Sequence, residues 1–321
     1  MRFAALALLA ACGSDSPRDT HPLRSDGTHL RDARGRIALL RGVNARVEGV
    51  FDAAFDDGRT ALEPIPPLTD DDCHRMRQLG LDFLRLPINW SGIEPTEGMY
   101  SDAYLDRVDA AVQCAARAGI LVMIDLHQDA YSKEIGEDGA PLWAIDPAPT
   151  QLLAGPLVDL GDRRTSAQVS NAFDTFFGAD PTLRTKFYAV LDRVAARWAT
   201  DPTVIGFEIF NEPPVGDNLV QPFSIEAAQH VRTAAPDKLV MFEPSAVRNL
   251  FDYSRPADAP FPVENAVYAP HVYTYVFAAM PVAFTAADLE ASVANARAEA
   301  TAWATPLMIG EYGIGPAQPN A

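Results

Sequence analysis

The chain lacks several features that mark common functional classes, and each absence narrows the reading. No glycine-rich turn follows an early strand, so a dinucleotide-binding Rossmann sheet is not indicated. No His-x-His pair occurs among its 6 histidines, which argues against the metal-dependent hydrolases that share barrel folds. Basic residues are outnumbered, 26 Lys and Arg against 43 Asp and Glu. The formal charge of -17 repels phosphate backbones and makes nucleic acid an unfavourable partner. Beyond the N-terminus no apolar run reaches eighteen residues, so nothing in the body of the chain spans a bilayer. Cysteine is scarce, with 3 in 321 residues, and no internal repeat is evident.

What is present begins with MRFAALALLAACGSDS. Arg2, an apolar run and then Leu9-Ala10-Ala11-Cys12 have the order of a secretory signal ending in a lipobox. Residues 1–12 are therefore expected to act as a lipoprotein-type signal, with Cys12 lipidated. The alternative is a signal cleaved nearby without lipidation. Residues 13–27, polar and containing Gly, Ser, Asp and Pro, read as a tether. The expected location is the bacterial cell envelope or the exterior, with membrane contact only through that anchor, and a monomer. Cys73 and Cys114 remain. They lie on consecutive helices, which are neighbours around a barrel, and in an exported protein such a pair is a disulfide candidate. Two free buried thiols are the alternative.

Residues 28–321 alternate short apolar runs with longer helical patterns. HLRDARGRIALL reads as a hairpin turning at Ala33-Arg34-Gly35. The period-3.6 spacing of Leu105, Val108, Val112 and Ala115 predicts a helix over 101–118. Further helices are expected over 70–79, 181–200, 224–234 and 286–304. Core strands are expected near 37–44, 82–88, 120–126, 204–210, 238–242, 266–271 and 306–311. Residues 130–180 read as irregular, and a loop of that length in a compact domain is usually functional. Phe173, Phe176 and Phe177 within it read as core or lid packing. Strands alternating with helices imply a parallel α/β sheet. The fold class expected is a (β/α)8 TIM barrel with seven βα units visible. The eighth strand is missing, and a C-terminally incomplete domain is the preferred explanation.

Nearly every strand ends in a polar residue: Asn44, Arg85 with Asn89, His127, Asn211-Glu212, Glu243, His271 and Glu311. In such barrels the carboxyl ends of the strands carry the active site. Two acids there would suit glycosidic cleavage, which needs one carboxyl to protonate the leaving oxygen and a second across the sugar. Glu212 ends strand four in FEIFNEP, and Glu311 ends strand seven in MIGEYG. Asn211 would bond a sugar 2-hydroxyl, Arg85 would keep the nucleophile ionised, and His271 and Tyr273 would orient the two carboxylates. A spacing near 5 Å is expected if attack is direct.

These motifs resemble glycoside hydrolase family 5. The match rests on Asn211-Glu212-Pro213, Ile309-Gly310-Glu311, Arg85 in FLRLPINW, His127 in DLHQD, and His271 with Tyr273 in PHVYT, over roughly residues 28–315. The resemblance implies a retaining mechanism, Glu212 as acid/base, Glu311 as nucleophile, no cofactor and no metal. Within the family, NWSGIEPTEGMYSDAYLDRVD, LVMIDLHQDAYS and DGAPLWA are similar to endoglycoceramidases, which separate an oligosaccharide from ceramide. There, the positions matching Asp125, His127 and Asp129 bind the sugar beside the cleavage point. The chain departs from that subgroup in carrying Arg46 where a lysine is usual. It also lacks a strand-eight tryptophan and a C-terminal β-sandwich. Expected substrates are the oligosaccharide–ceramide linkage of glycosphingolipids or a related β-glucoside. An endo-β-1,4-glucanase or mannanase is the alternative within the family, and a non-catalytic sugar-binding lipoprotein the alternative outside it.

Overall fold

A computed structural model describes residues 22–248, 252, 254, 259–273 and 285–313. Cys12 and most of the expected tether lie outside the described residues. Residues 24–27 are part of the fold. Arg24–Asp26 (β1) pairs antiparallel with His29–Arg31 (β2) across Gly27, whose φ of 57° suits a residue without a Cβ. The tether boundary expected at residue 27 therefore moves to before Arg24. The turn at 33–35 also forms. Asp32 and Arg36 close it by a backbone hydrogen bond of 3.0 Å, and Ala38 N–H bonds Leu30 C=O at 2.9 Å.

Six parallel strands then follow in chain order: Gly42–Asn44 (β3), Phe83–Ile88 (β4), Leu121–Leu126 (β5), Val204–Glu208 (β6), Leu239–Phe242 (β7) and Ala266–Tyr268 (β8). The first is shorter than expected, because residues 37 and 38 continue the N-terminal hairpin and only 42–44 join the ladder. The seventh position, 306–311, lies parallel to β8 through the bridge Tyr268–Leu307, with Tyr268 N–H on Pro306 C=O at 3.0 Å. At the site end, Asn44 Nδ2 donates to Gly310 C=O at 3.4 Å, so the first and seventh positions approach each other. No eighth strand is found among the described residues.

The helices are Asp70–Gln78 (α1), Trp90–Ile93 (α2), Asp102–Arg117 (α3), Leu160–Arg164 (α4), Ala167–Phe176 (α5), Thr182–Trp198 (α6), Asp217–Ala234 (α7) and Ala286–Trp303 (α8). Thr69 and Asp72 form a reciprocal capping box on α1, and Ser101 caps Tyr104 N–H on α3. Four of these differ from the sequence reading, the short α2 and α4 among them because one or two turns leave no periodic pattern. The 130–180 stretch holds α5, capped by Ser166 and burying Val169, Ala172, Phe173 and Phe176. Its three turns are too short to stand out among polar and proline-rich neighbours. Helix α7 starts seven residues earlier than expected and runs through Pro222, whose presence makes its first turns read as loop. No helix among the described residues is long and apolar enough to cross a membrane.

Side-chain alternation along the strands builds two cores and one polar layer. Leu84, Leu86, Ile88, Val122, Ile124, Phe207, Val240, Phe242 and Tyr268 face the helices and join the main core. Phe83, Met123, Ile205, Leu239, Met241, Val267 and Ala269 face inward, and Leu23 and Leu30 of the hairpin seal them from below. Two residues further along the strands, the inward positions become Arg85, Asp125, Glu243 and His271, with Glu208 on β6 beside them. The period-2 rule thus stacks a charged layer directly on an apolar floor.

Cys73 on α1 and Cys114 on α3 are joined as a disulfide with Cα atoms 6.3 Å apart, closing a loop of 41 residues. A cross-link of that span restricts the unfolded chain by about 3–4 kcal/mol. Reduction, or C73A/C114A, is expected to lower the melting temperature by about 5–10 °C. Calorimetry with and without reductant checks this, and an unchanged transition would show that the bond contributes nothing to stability.

Candidate active site

The polar layer is organised by one guanidinium. Arg85 is 1% exposed and touches four acids and an amide. Its Nε and Nη2 grip Glu208 at 2.7 and 3.0 Å. Nη1 donates to Glu311 at 2.5 Å, while Nη2 also reaches Asn211 Oδ1 at 2.8 Å and Asp125 at 3.0 Å. Burial alone would favour loss of its proton. The charges of Asp125, Glu208 and Glu311 outweigh that and hold Arg85 firmly cationic.

Above this layer sit Glu212 and Glu311, each partly open to solvent. His271 lies between them. Its Nδ1 is 2.8 Å from Glu212 Oε1 and 3.8 Å from Glu311 Oε2, and carboxyl oxygens of the two acids lie within 4.8 Å of each other. Tyr273 donates its hydroxyl to Glu311 at 2.7 Å. Burial would raise the Glu311 pKa, but the charges of His271, Arg85 and His127 and the Tyr273 bond drive it well below the usual carboxylate range. Glu212 adopts a φ of 42°, a left-handed conformation that costs a non-glycine residue energy and is held by its surroundings. Gln128 supplies part of that hold by donating to the carbonyls of Asn211 and Glu212 at 2.7 and 3.2 Å. A Cβ on Gly310 would come within 2.9 Å of His271 Nε2, so glycine there makes room for the imidazole.

The sign of the Glu311 shift gives a pH prediction. A depressed pKa keeps the carboxylate charged into acid solution. Removing one donor by Tyr273→Phe should raise it, because a charge-assisted hydrogen bond favours the ionised form. The acid limb of kcat/KM is expected to move up by about one pH unit with the alkaline limb in place. A pH–rate profile checks it, and an unmoved acid limb would show that Tyr273 does not govern Glu311.

A second group lies beside this pair. His127 places Nδ1 2.6 Å from Asp125 and Nε2 3.4 Å from Asp129. Burial works against its charge, but Asp125 and then Asp129 keep it protonated. Asp129 also meets Arg46 at 3.3 Å and Arg164 at 3.2 Å. Burial and the charge of Asp129 push Glu137, which pairs with Arg164, up to about 7. Arg46 lies over the Phe51 ring at 4.5 Å and pairs with Glu63.

All nine expected catalytic and sugar-contacting residues therefore converge, but not as equals. Glu212, Tyr273 and Glu311 are partly open to solvent, whereas His127 and Asp129 are buried beside them. Asp125 is fully buried beneath His127, so its geometry suits orienting the imidazole and not the direct sugar contact that the resemblance implied. Asn211 is likewise 1% exposed, with Oδ1 taken by Arg85 and Nδ2 donating to Gln128 C=O at 3.0 Å. Glu208, Gln128, Glu137, Asp138 and Arg164 were not singled out from the sequence. Glu208 left a legible signal, an acid in the middle of an apolar strand. Arg164, from a loop helix 35 residues past Asp129, left none. Among the described residues, three acid–histidine sets bring ligand atoms within 4.8 Å: His127 with Asp129 and Asp138, Glu208 with Glu243 and His271, and Glu212 with His271 and Glu311. Each already has an arginine on one of its acids, which does the work a cation would do there.

Comparison with known proteins agrees with the fold and the family resemblance. A Rhodococcus hoagii protein, endoglycoceramidase I, is 29% identical over 271 residues, covering 78% of this chain and 52% of the relative. Among solved structures, an endogalactoceramidase superposes with TM-score 0.78 at 29% identity, covering 92% of this chain and 68% of that one. Endo-glycoceramidase II from Rhodococcus sp., in a cellobiose-like imidazole complex, gives 0.74 at 28%, covering 91% and 70%. The same enzyme with ganglioside GM3 gives 0.70 at 26%, covering 88% and 68%. The chain spans about half the length of the curated relative. The model of the cellulase family, glycosyl hydrolase family 5, matches residues 48–320, and with the barrel and its strand-end acids this places the chain in glycosyl hydrolase family 5.

Proposed function

We propose that this chain is the catalytic barrel of a retaining β-glycosidase that releases the glycan of a glycosphingolipid from its ceramide. The observation that carries the reading is the closeness of the two acids, one carboxyl oxygen of each lying within 4.8 Å of the other beside His271. That spacing suits direct attack and leaves no room for an intervening water. Glu311, held ionised by Arg85 and Tyr273, attacks the anomeric carbon. Glu212 protonates the leaving oxygen, then as a carboxylate takes a proton from the water that releases the sugar. His127 and Asp129 border the space where that sugar would sit. The lipid assignment draws on the relatives, whose names refer to glycoceramides and galactoceramides.

Incubating the protein separately with a ganglioside, a glucosylceramide and cello-oligosaccharides tests the substrate. The reading expects an intact oligosaccharide from the ganglioside and little product from cello-oligosaccharides. The reverse preference would make it a polysaccharide hydrolase. We also propose export with a lipid on Cys12. The lipobox order and the disulfide support this, and the mass of the mature N-terminus tests it.

A further inference from the structure

The interior of the barrel holds an acid with no part in the chemistry described so far. Glu243, at the end of β7, is 4% exposed. An oxygen of its carboxyl lies within 4.8 Å of one on Glu208, and its Oε1 lies 3.5 Å from His271 Nε2. His271 Nε2 is also 3.9 Å from Glu208, and neither Nε2 nor Glu243 Oε1 has another hydrogen-bond partner among the described residues. The charged or titratable groups facing Glu243 are Glu208 from β6, Glu212 beyond it, Arg85 from β4 at 3.8 Å, and His271. Two buried carboxyl groups this close favour holding one proton between them, because adjacent carboxylates repel. Glu208 is already chelated by Arg85, so the proton belongs on Glu243.

We propose that Glu243 is a positioning residue for the acid/base. It donates to Glu208 and presents its other oxygen to His271 Nε2, and so fixes the ring whose Nδ1 meets Glu212. This rests on Glu212 being the acid/base. Burial and the nearby Glu208 charge favour the neutral form of Glu243, which a glutamine reproduces in shape and in donor capacity. Leucine has similar bulk and neither donor nor acceptor. It would take the acceptor away from Nε2 and leave the ring free to turn from Glu212.

The test compares the intact protein with Glu243→Gln and Glu243→Leu, using nitrogen NMR of labelled histidine and the pH dependence of an aryl β-glycoside. The His271 signals are assigned from the spectrum of His271→Asn. E243Q should keep the His271 nitrogen shifts, the activity within about threefold and the alkaline limb in place. E243L should shift the Nε2 signal and lower kcat by about 10²-fold with little change in KM. E243Q as impaired as E243L, or His271 signals identical in all three proteins, would overturn the proposal. If E243L does not fold, E243Q decides alone, because a loss there at unchanged melting temperature contradicts it. An inactive wild type would instead sink the glycosidase reading, and the NMR comparison would still judge the role of Glu243.

Discussion

Glu311→Gln is expected to lower turnover by a factor on the order of 10⁴ to 10⁶, without loss of the fold. Glutamine keeps the shape and can still meet Arg85 and Tyr273, but it cannot form the glycosyl ester on which the two-step route depends. The change also removes a negative charge from the Arg85 cluster, in which Asp125, Glu208 and Glu311 surround one guanidinium. One acid fewer around a buried cation relieves repulsion among the carboxylates, so the melting temperature should stay level or rise. Steady-state kinetics with a melting curve on the same sample checks both halves. A variant that keeps a tenth of its activity would mean that Glu311 is not the nucleophile.

Glu212→Gln separates the two chemical steps. A poor leaving group needs a proton, so on a glycolipid or alkyl glycoside the loss should reach about 10²- to 10⁴-fold. A dinitrophenyl glycoside leaves without protonation, and the first step should survive. The second step then stalls, because no carboxylate remains to deprotonate water. Azide needs no base and should restore turnover, giving a β-glycosyl azide. Rate measurements against leaving-group acidity, with and without azide, read this directly. Equal losses on both substrates and no azide effect would remove Glu212 from the acid/base role. His271, 2.8 Å from Glu212, should then be tested in its place.

The sequence carried the barrel because the barrel is written in local periodicity. Apolar runs such as LRLPI and LVMID, each closing on a polar residue, mark where a strand ends and which end faces the substrate. Glu212 and Glu311 were legible for that reason, although 99 residues separate them in the chain. The support beneath them was less legible. Glu208 and Asp125 share an inward layer with Arg85 only because parallel register sets Arg85 two strands from Glu208, and register is a long-range property. Arg164 reaches Asp129 from a helix inside a stretch that reads as loop, and no local pattern foretells that contact. The hairpin of β1 and β2 escaped for another reason. Its first strand is polar and short, and its burial rests on Leu23 and Leu30 meeting the barrel floor. Ser25 N–H completes the seal by bonding the Asn265 side chain at 3.0 Å, 240 residues away.

The Cys73–Cys114 bond shows a middle case. Spacing and helix faces made the pairing reachable, but two free thiols fitted the same pattern. The disulfide joining α1 to α3, with Cα atoms 6.3 Å apart, decides between them. Arg46 is similar. The sequence marks it as an arginine where relatives of the resembled subgroup carry lysine. The structure shows what the longer, planar group does there: it spans from Glu63 to Asp129 while lying over Phe51.

The account turns on a covalent bond between the sugar and Glu311. A 2-deoxy-2-fluoro β-glucoside with a dinitrophenyl leaving group should accumulate that species, because fluorine slows both steps and the leaving group rescues the first. Mass spectrometry of the whole protein, followed by peptide mapping, reads the result. The account predicts one fluorosugar per chain, attached to the peptide that contains Glu311 and lost on reactivation with an acceptor sugar. A label on any other residue, or an unlabelled protein whose product has inverted anomeric configuration, would contradict it.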